Sequence, residues 1–312
     1  MTSPRAICIG EALAVLVAER RGPLEQAGSF RLDVGGAEFN VAVALAVAGI
    51  DTALVTRLGA DGFGRLITTE AELHGVNTTA IEYDPIRPTG LYIKELGSAR
   101  DGVAGQNPGQ SRMHYYRAGS AGSILSVQLL EQPFVRPLLA SAELVHITGI
   151  TPALSADAMA MSLRLAERHE RSGMLSVDVN WRPALWRGRE AVGAAVLGRM
   201  IRGSDIAFMG ASEAQEIYGI REPSELRTLF PEPRWLVVKN DADAATAFDG
   251  TTRADIPAHT LDVVEAIGAG DAFAAGFLAA LLEGSPITDC LRDAHSMAAR
   301  ALASTGDSIA AS

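Results

Sequence analysis

The chain has little of what disulfide-built, metal-bound or membrane-embedded proteins depend on. Among its 312 residues only two are cysteine, Cys8 and Cys290, near opposite ends and without a CxxC spacing. Neither a disulfide framework nor a zinc site is indicated. The six histidines are scattered with no HExxH-type spacing, so no metal is assigned to them. Positive charge is in deficit: 27 Lys and Arg against 37 Asp and Glu give a net charge of −10. Nucleic-acid surfaces need clustered Lys and Arg, so such a partner is not expected. Long apolar runs are missing too. The longest, around Val41 to Ile50 and Ala272 to Leu282, are too short or interrupted to span a bilayer. Glu11 comes before any apolar signal region can form, and a cytoplasmic location is the expectation. No GxxxxGK[ST] loop, strand-borne GxGxxG or GxSxG elbow occurs, which sets aside the common nucleotide-loop and hydrolase chemistries.

What is present is an ordinary globular composition, 48% apolar and 21% charged. The length suits one large α/β domain with a small appendage, or two modest domains. Strand-like and helix-like stretches alternate: strands at Ala6–Gly10, Thr52–Leu58, Glu143–Ile147, Leu175–Val179, Asp205–Met209 and Trp235–Val238, with helices after Asn40, at Arg65–His74, Ser155–Ser172, Val192–Ile201 and Ile287–Leu302. That alternation predicts a doubly wound, mainly parallel sheet with flanking helices. Leu13 to Val34, and the pair Arg87–Glu95 and Arg112–Arg117 around a loop at Gly102–Gly109, alternate polar and apolar residues. They predict a small β lid, from about 12–35 and 87–117, on one α/β domain spanning 1–312. Ser212 and Gln215 have capping-box spacing.

One stretch organises the chemistry. Gly268-Ala269-Gly270-Asp271 follows an alternating Leu261 to Val264 and runs straight into the apolar Ala272 to Leu282. The glycines let successive N–H groups point into one space, and a helix N-terminus adds its free donors and positive dipole end. That is an anion site. Asp271 within it reads either as a base for an attacking hydroxyl or as a first-turn acid favoured by the dipole. Earlier, Gly35-Gly36-Ala37-Glu38-Phe39-Asn40 opens an apolar helix. Gly35 and Gly36 allow close approach of a ligand, and Asn40 reads as a polyol partner or as a cap. Glu11, Asn180 and Arg182 fall just beyond strand ends, where α/β sheets bind ligands. Glu213 reads as a shell carboxylate for Mg²⁺ or as a dipole-complementing acid. Tyr92, Tyr115, Tyr116 and Arg117 cluster on the lid, either to cover a sugar or as ordinary cross-strand pairs.

The two motifs GGAEFN and GAGD, in this order, resemble the ribokinase-like (PfkB) family of carbohydrate kinases. His114-Tyr115-Tyr116-Arg117-Ala118-Gly119-Ser120-Ala121, Asp178-Val179-Asn180-Trp181-Arg182-Pro183-Ala184-Leu185-Trp186 and Gly149-Ile150-Thr151-Pro152 are similar to the branch acting on the acid sugar 2-keto-3-deoxygluconate. The resemblance implies ATP and Mg²⁺ as partners in transfer to the sugar's O6. Asp271 would take the proton, and Gly268, Ala269 and Gly270 would form the anion hole. Gly35, Gly36, Asn40, Tyr92, Tyr115, Tyr116, Arg117, Arg182 and Asp307 would surround the sugar acid. Asn180, Lys239, Asn240, Asp241, Asp243 and Ala244 would border ATP, with Glu213 near the metal. It also implies pairing of subunits through the lid. Asp241 and Ala244 stand where relatives carry glycine, Gly210 where they carry Asn, and Glu265-Ala266-Ile267 where they carry Asp-Thr-Thr. These departures keep open a fructokinase-like or other sugar kinase, and a sugar-acid-binding protein with an impaired ATP site.

Overall fold

The computed structural model describes residues 3–97, 111–168, 171–240, 243–258 and 268–303. The alternating Leu261–Val264, Ile267, the Gly102–Gly109 loop, Asp241 and Asp307 lie outside them. The strands in chain order are β1 (Ala6–Ile9), β2 (Leu13–Ala18), β3 (Phe30–Gly35), β4 (Thr52–Gly59), β5 (Ile81–Asp84), β6 (Leu91–Glu95), β7 (Arg112–Tyr116), β8 (Leu144–Thr148), β9 (Met174–Asp178), β10 (Ile206–Gly210), β11 (Trp235–Asn240), β12 (Ala244–Asp249) and β13 (Thr252–Pro257). Among the described residues, nine of them form one sheet in the order β13-β12-β11-β10-β9-β8-β1-β4-β5. From β11 to β5 every pairing is parallel; β12 and β13 run antiparallel at one edge.

Short apolar strands buried on both faces are what a parallel sheet covered by helices requires. Ala6, Ile7, Cys8 and Ile9 are all fully buried, pointing alternately to the two sides. One side receives the helices Ala37–Val47, Ala269–Leu282 and Ile287–Leu302. The other receives Ala156–Leu165, Glu190–Gly203 and Ala211–Tyr218. The first two are apolar on nearly every side and nearly wholly buried, whereas Ile287–Leu302 buries only one stripe, including Cys290, Leu291 and Ala294.

The lid is the second sheet, in the order β3-β2-β6-β7, with the β6–β7 hairpin in register Tyr92↔Tyr115. It joins the two chain segments anticipated for it. Three local expectations are corrected. The helix expected over Ser155–Ser172 ends at Leu165, because the Arg171 guanidinium reaches back to the carbonyls of Leu165, Gly173 and Gly203 and turns the chain. The capping box is not Ser212–Gln215. The helix starts at Ala211, and the Glu213 carboxylate accepts from the Gly210 N–H at 2.8 Å. The chain after β11 makes two further antiparallel strands that the sequence reading did not anticipate.

Candidate active site

The chain winds outward from β1 in both directions, through β4 and β5 on one side and β8 to β11 on the other. Strand order therefore reverses beside β1, and loops leaving the C-terminal strand ends diverge there to leave a crevice. A cavity of about 330 Å³ opens at this point, with the lid forming one wall.

Its floor is the N-terminus of the Ala269–Leu282 helix. Gly268 sits just before it at φ 77°, a left-handed conformation that turns the chain into the helix. Asp271, in the first turn, is 9% exposed. Its Oδ2 accepts from Asn40 Nδ2 at 2.8 Å and its Oδ1 from Asn180 Nδ2 at 3.4 Å. Burial pushes its pKa up to about 7; nearby Asp178 adds to this, while the Asn40 hydrogen bond, Arg182 and Lys239 oppose it. A carboxyl group poised there, inside a cleft and held by two amides, has the properties of a general base working near neutrality.

Asn40 is neither a cap nor a turn residue. It lies inside the Ala37–Val47 helix, which packs along the Ala269–Leu282 helix, and the crossing delivers its amide to Asp271. Gly36 precedes that helix at φ 133°, and a Cβ there would stand 2.4 Å from the Glu11 carbonyl oxygen, so only glycine fits. Asn180, after β9, adopts φ 39°, which an asparagine tolerates and which turns its amide inward.

The wall towards β11 is charged. Lys239 Nζ donates to Asp178 Oδ2 at 2.9 Å and lies 3.6 Å from where a Cβ on Gly270 would be. Burial pushes Lys239 down, but attraction to Asp178 and Glu213 outweighs it and the net shift is upward. Glu213 is raised chiefly by burial, with Lys239 opposing. Its two oxygens accept from the Trp181 and Gly210 N–H groups, at 2.9 and 2.8 Å, fixing the loop that carries Asn180 and Arg182. Asp178 Oδ1, Asn180 Oδ1 and Asn40 Oδ1 are buried acceptors with no hydrogen-bond partner among the described residues. Such oxygens are costly unless something bound in the cavity completes them.

From the lid, Tyr92, Tyr115 and Arg117 face the cavity. Tyr116 does not line it; alternation along β7 puts its ring on the opposite face, where it is 60% exposed. Gly35 also stands off the wall, where its missing Cβ leaves room for the Tyr92 hydroxyl. Ala269 is the helix's first residue, outside the lining. Asn240 and Ala244 face each other where β11 turns into β12, with Asp243 between, beyond the cavity wall.

Three carboxylates of the wall were not assigned by sequence reasoning. Glu11 is paired with Arg117, and Asp178 with Lys239. Glu38 Oε1 accepts from the Thr148 N–H and hydroxyl and from the Thr151 hydroxyl, at 3.0, 2.8 and 2.8 Å, tying the Ala37–Val47 helix to the end of β8. Glu38 and Asp178 both stand inside motifs that drew attention, and Glu11 at a strand end, so their positions were visible although their pairings were not. The lining thus holds five carboxylates against Arg117, Arg182 and Lys239.

Comparison with known proteins identifies the family. The model of the pfkB family of carbohydrate kinases matches residues 3–312. A relative from Thermoproteus tenax named 2-dehydro-3-deoxygluconokinase is 34% identical over 281 residues, covering 89% of this chain and 82% of its own. The crystal structure of a PfkB protein from Polaromonas sp. JS666 superposes with a TM-score of 0.85 at 27% identity, covering 98% of this chain and 97% of that one. A fructokinase from Xylella fastidiosa, solved with bound ATP, superposes at 0.80 with 25% identity, covering 97% and 94%. No described helix is long and apolar enough to cross a membrane.

Proposed function

The chain belongs to the pfkB family of carbohydrate kinases and is an ATP-dependent sugar kinase, and from that premise we propose that it phosphorylates 2-keto-3-deoxygluconate (2-dehydro-3-deoxygluconate) at O6. One observation carries the reading of the chemistry: Asp271, buried in the first turn of a glycine-opened helix and held by Asn40 and Asn180, stands beside N–H groups that can hold a phosphoryl group. In this reading Asp271 takes the proton of the sugar's 6-hydroxyl as that oxygen attacks the γ-phosphorus, and the bond to ADP breaks on the opposite side. The helix N-terminus with Gly268 and Gly270 stabilises the charge spreading over the phosphoryl oxygens, and Lys239 adds a cation to that end of the cavity.

The donor set suits Mg²⁺ and nucleotide phosphates: one hard oxygen each of Asp178 and Asn180 without a partner among the described residues, Glu213 nearby, and Lys239 beside the helix N-terminus. A bound Mg²⁺ would supply charge neutralisation for the phosphates. Asn180 and Lys239 then border the nucleotide, and Asn240, Asp243 and Ala244 continue that border at the β11–β12 turn. On the sugar side, Gly36 and Asn40 lie below, Tyr92 and Tyr115 above, and Arg117 and Arg182 are the forks for a carboxylate. The name of the Thermoproteus tenax relative supports the acid sugar. The ion pair of Arg117 with Glu11 favours a second reading, a kinase of an uncharged ketose, because it halves the charge offered to an acid.

The test is ADP release with ATP and Mg²⁺, comparing 2-keto-3-deoxygluconate, its galactonate epimer, fructose and ribose. Turnover confined to the acid sugars is expected; equal or better turnover of fructose would give the second reading the site.

A further inference from the structure

Glu11 is almost completely buried, at 2% exposure, yet its carboxylate forms part of the sugar side of the cavity. Its Oε2 pairs with Arg117 Nη2, and its Oε1 accepts from the Ser120 hydroxyl at 3.1 Å. It has nowhere to go. A Cβ on Gly122 would stand 2.6 Å from Glu11 Cγ and one on Gly90 3.2 Å from Oε1, so these backbones pack directly on the side chain. Arg117 is equally fixed, its guanidinium near the Tyr115 ring with 12% of the side chain exposed, and its buried Nε–H has no hydrogen-bond partner among the described residues. The edge left to a substrate therefore belongs to a cation that already has a carboxylate.

A sugar acid brought to Arg117 places a second carboxylate on the same guanidinium, whose side chain is largely withdrawn from water. Two carboxylates that share one cation in low dielectric repel each other, and protonating the more buried of them relieves that repulsion. We propose that Glu11 is a specificity-determining residue that takes up one proton from solvent when an acid sugar binds, while an uncharged sugar binds without it. This rests on the acid-sugar reading above. No bond other than the O–H on Glu11 is made, and the proton comes from the buffer. The substrate keeps its own carboxylate ionised, because the adjacent carbonyl makes a 2-keto acid the stronger acid, whereas burial already pushes the Glu11 carboxyl above its ordinary value.

The groups facing Glu11 are consistent with this assignment. Arg117 at the end of β7 and the Ser120 hydroxyl favour its charge, Glu38 on the Ala37–Val47 helix opposes it, and the Tyr92 ring of β6 lines the same space. Burial is the largest influence and pushes the carboxyl above its ordinary value even before a ligand arrives.

The test is calorimetric titration without ATP, at pH 7.5, in HEPES and in Tris, whose ionisation heats differ. 2-Keto-3-deoxygluconate is compared with fructose on the wild type and on Glu11→Gln. The wild type should take up about one proton per acid sugar bound. Its Kd should accordingly weaken by up to about tenfold per pH unit above neutrality. Glu11→Gln should take up none, bind the acid sugar at least as tightly, and lose the pH dependence. Fructose, which occupies the same floor beside Asp271, should show no uptake in either protein. Acid-sugar binding by the wild type without proton uptake overturns the inference, as does uptake that persists in Glu11→Gln. Binding of fructose with none of the acid overturns the acid-sugar reading instead. Should Glu11→Gln not fold, the two-buffer comparison of the wild type with Asp271→Asn decides: uptake that remains in Asp271→Asn supports the inference, and uptake that this variant abolishes overturns it.

Discussion

Asp271 concentrates the conflict between stability and chemistry. The fold holds its proton more tightly than the unfolded chain does, since its pKa rises from 3.8 to about 7. The group's contribution is therefore complete below pH 4 and is lost as pH rises through 7. Asp271→Asn, which cannot ionise, should keep the Asn40 hydrogen bond and be more stable than the parent by about 1–4 kcal/mol at pH 8, with the gap closing towards pH 4. Thermal melts across that range check it, and a gap independent of pH would contradict the buried-charge account. The same variant should retain sugar binding and lose turnover by about 10²–10⁴-fold. In the parent, kcat should climb up to tenfold per pH unit below 7 and level off above, because the base must be ionised to act. The Asp178–Lys239 pair makes a different prediction. Lys239→Met leaves a carboxylate that is 2% exposed without its cation, so urea unfolding should show a loss of about 3 kcal/mol. Asp178→Asn added to it should recover part of that loss; an equal or greater loss in the double variant would mean that the pair is not the cause.

Between elements, the Ala269–Leu282 helix is held by close approach as much as by side chains. Gly276 faces the following helix, where an added Cβ would stand 2.7 Å from the Asp293 carbonyl oxygen. Gly276→Ala should force the Ala269–Leu282 and Ile287–Leu302 helices apart and cost about 1–3 kcal/mol. A melting temperature unchanged from the parent would show that the pair can slide. At this scale the sequence was informative wherever a pattern was long. The all-apolar stretches after Asn40 and after Asp271 read as buried helices and are buried helices. The alternating segments at the lid read as strands outside the main fold and form a separate sheet. It misled where a distant contact bears on an end, as Arg171 shows beyond Leu165 by donating to the Gly203 carbonyl 32 positions away. Strands β12 and β13 escaped because half of β12 is small alanine and no run within them has a strong period.

The molecule as a whole couples a large sheet to a lid with a small core of its own. Among the described residues Leu13, Val15, Val17 and Tyr92 make up the lid's buried apolar cluster, too little to fold four strands independently. Its chain segments also enter and leave through β1, the Ala37–Val47 helix and the Glu11–Arg117 pair. Calorimetry should therefore record one unfolding transition for lid and sheet together; an earlier, separate lid transition would refute their treatment as a single unit. The sequence by itself determined the layered α/β fold, the lid, the glycine-opened helix with Asp271 and the carbohydrate-kinase family. Each of these is written in periodicity or in short motifs whose residues are neighbours in the chain. Only the tertiary structure decided which partners those residues have. Asn40 meets Asp271 across 231 positions and Asn180 meets it across 91, while Tyr116 is turned outward by the register of β7 and Arg117 comes to the cavity already paired with Glu11. Contacts between distant segments depend on helix crossings and strand pairings, and no local pattern encodes them.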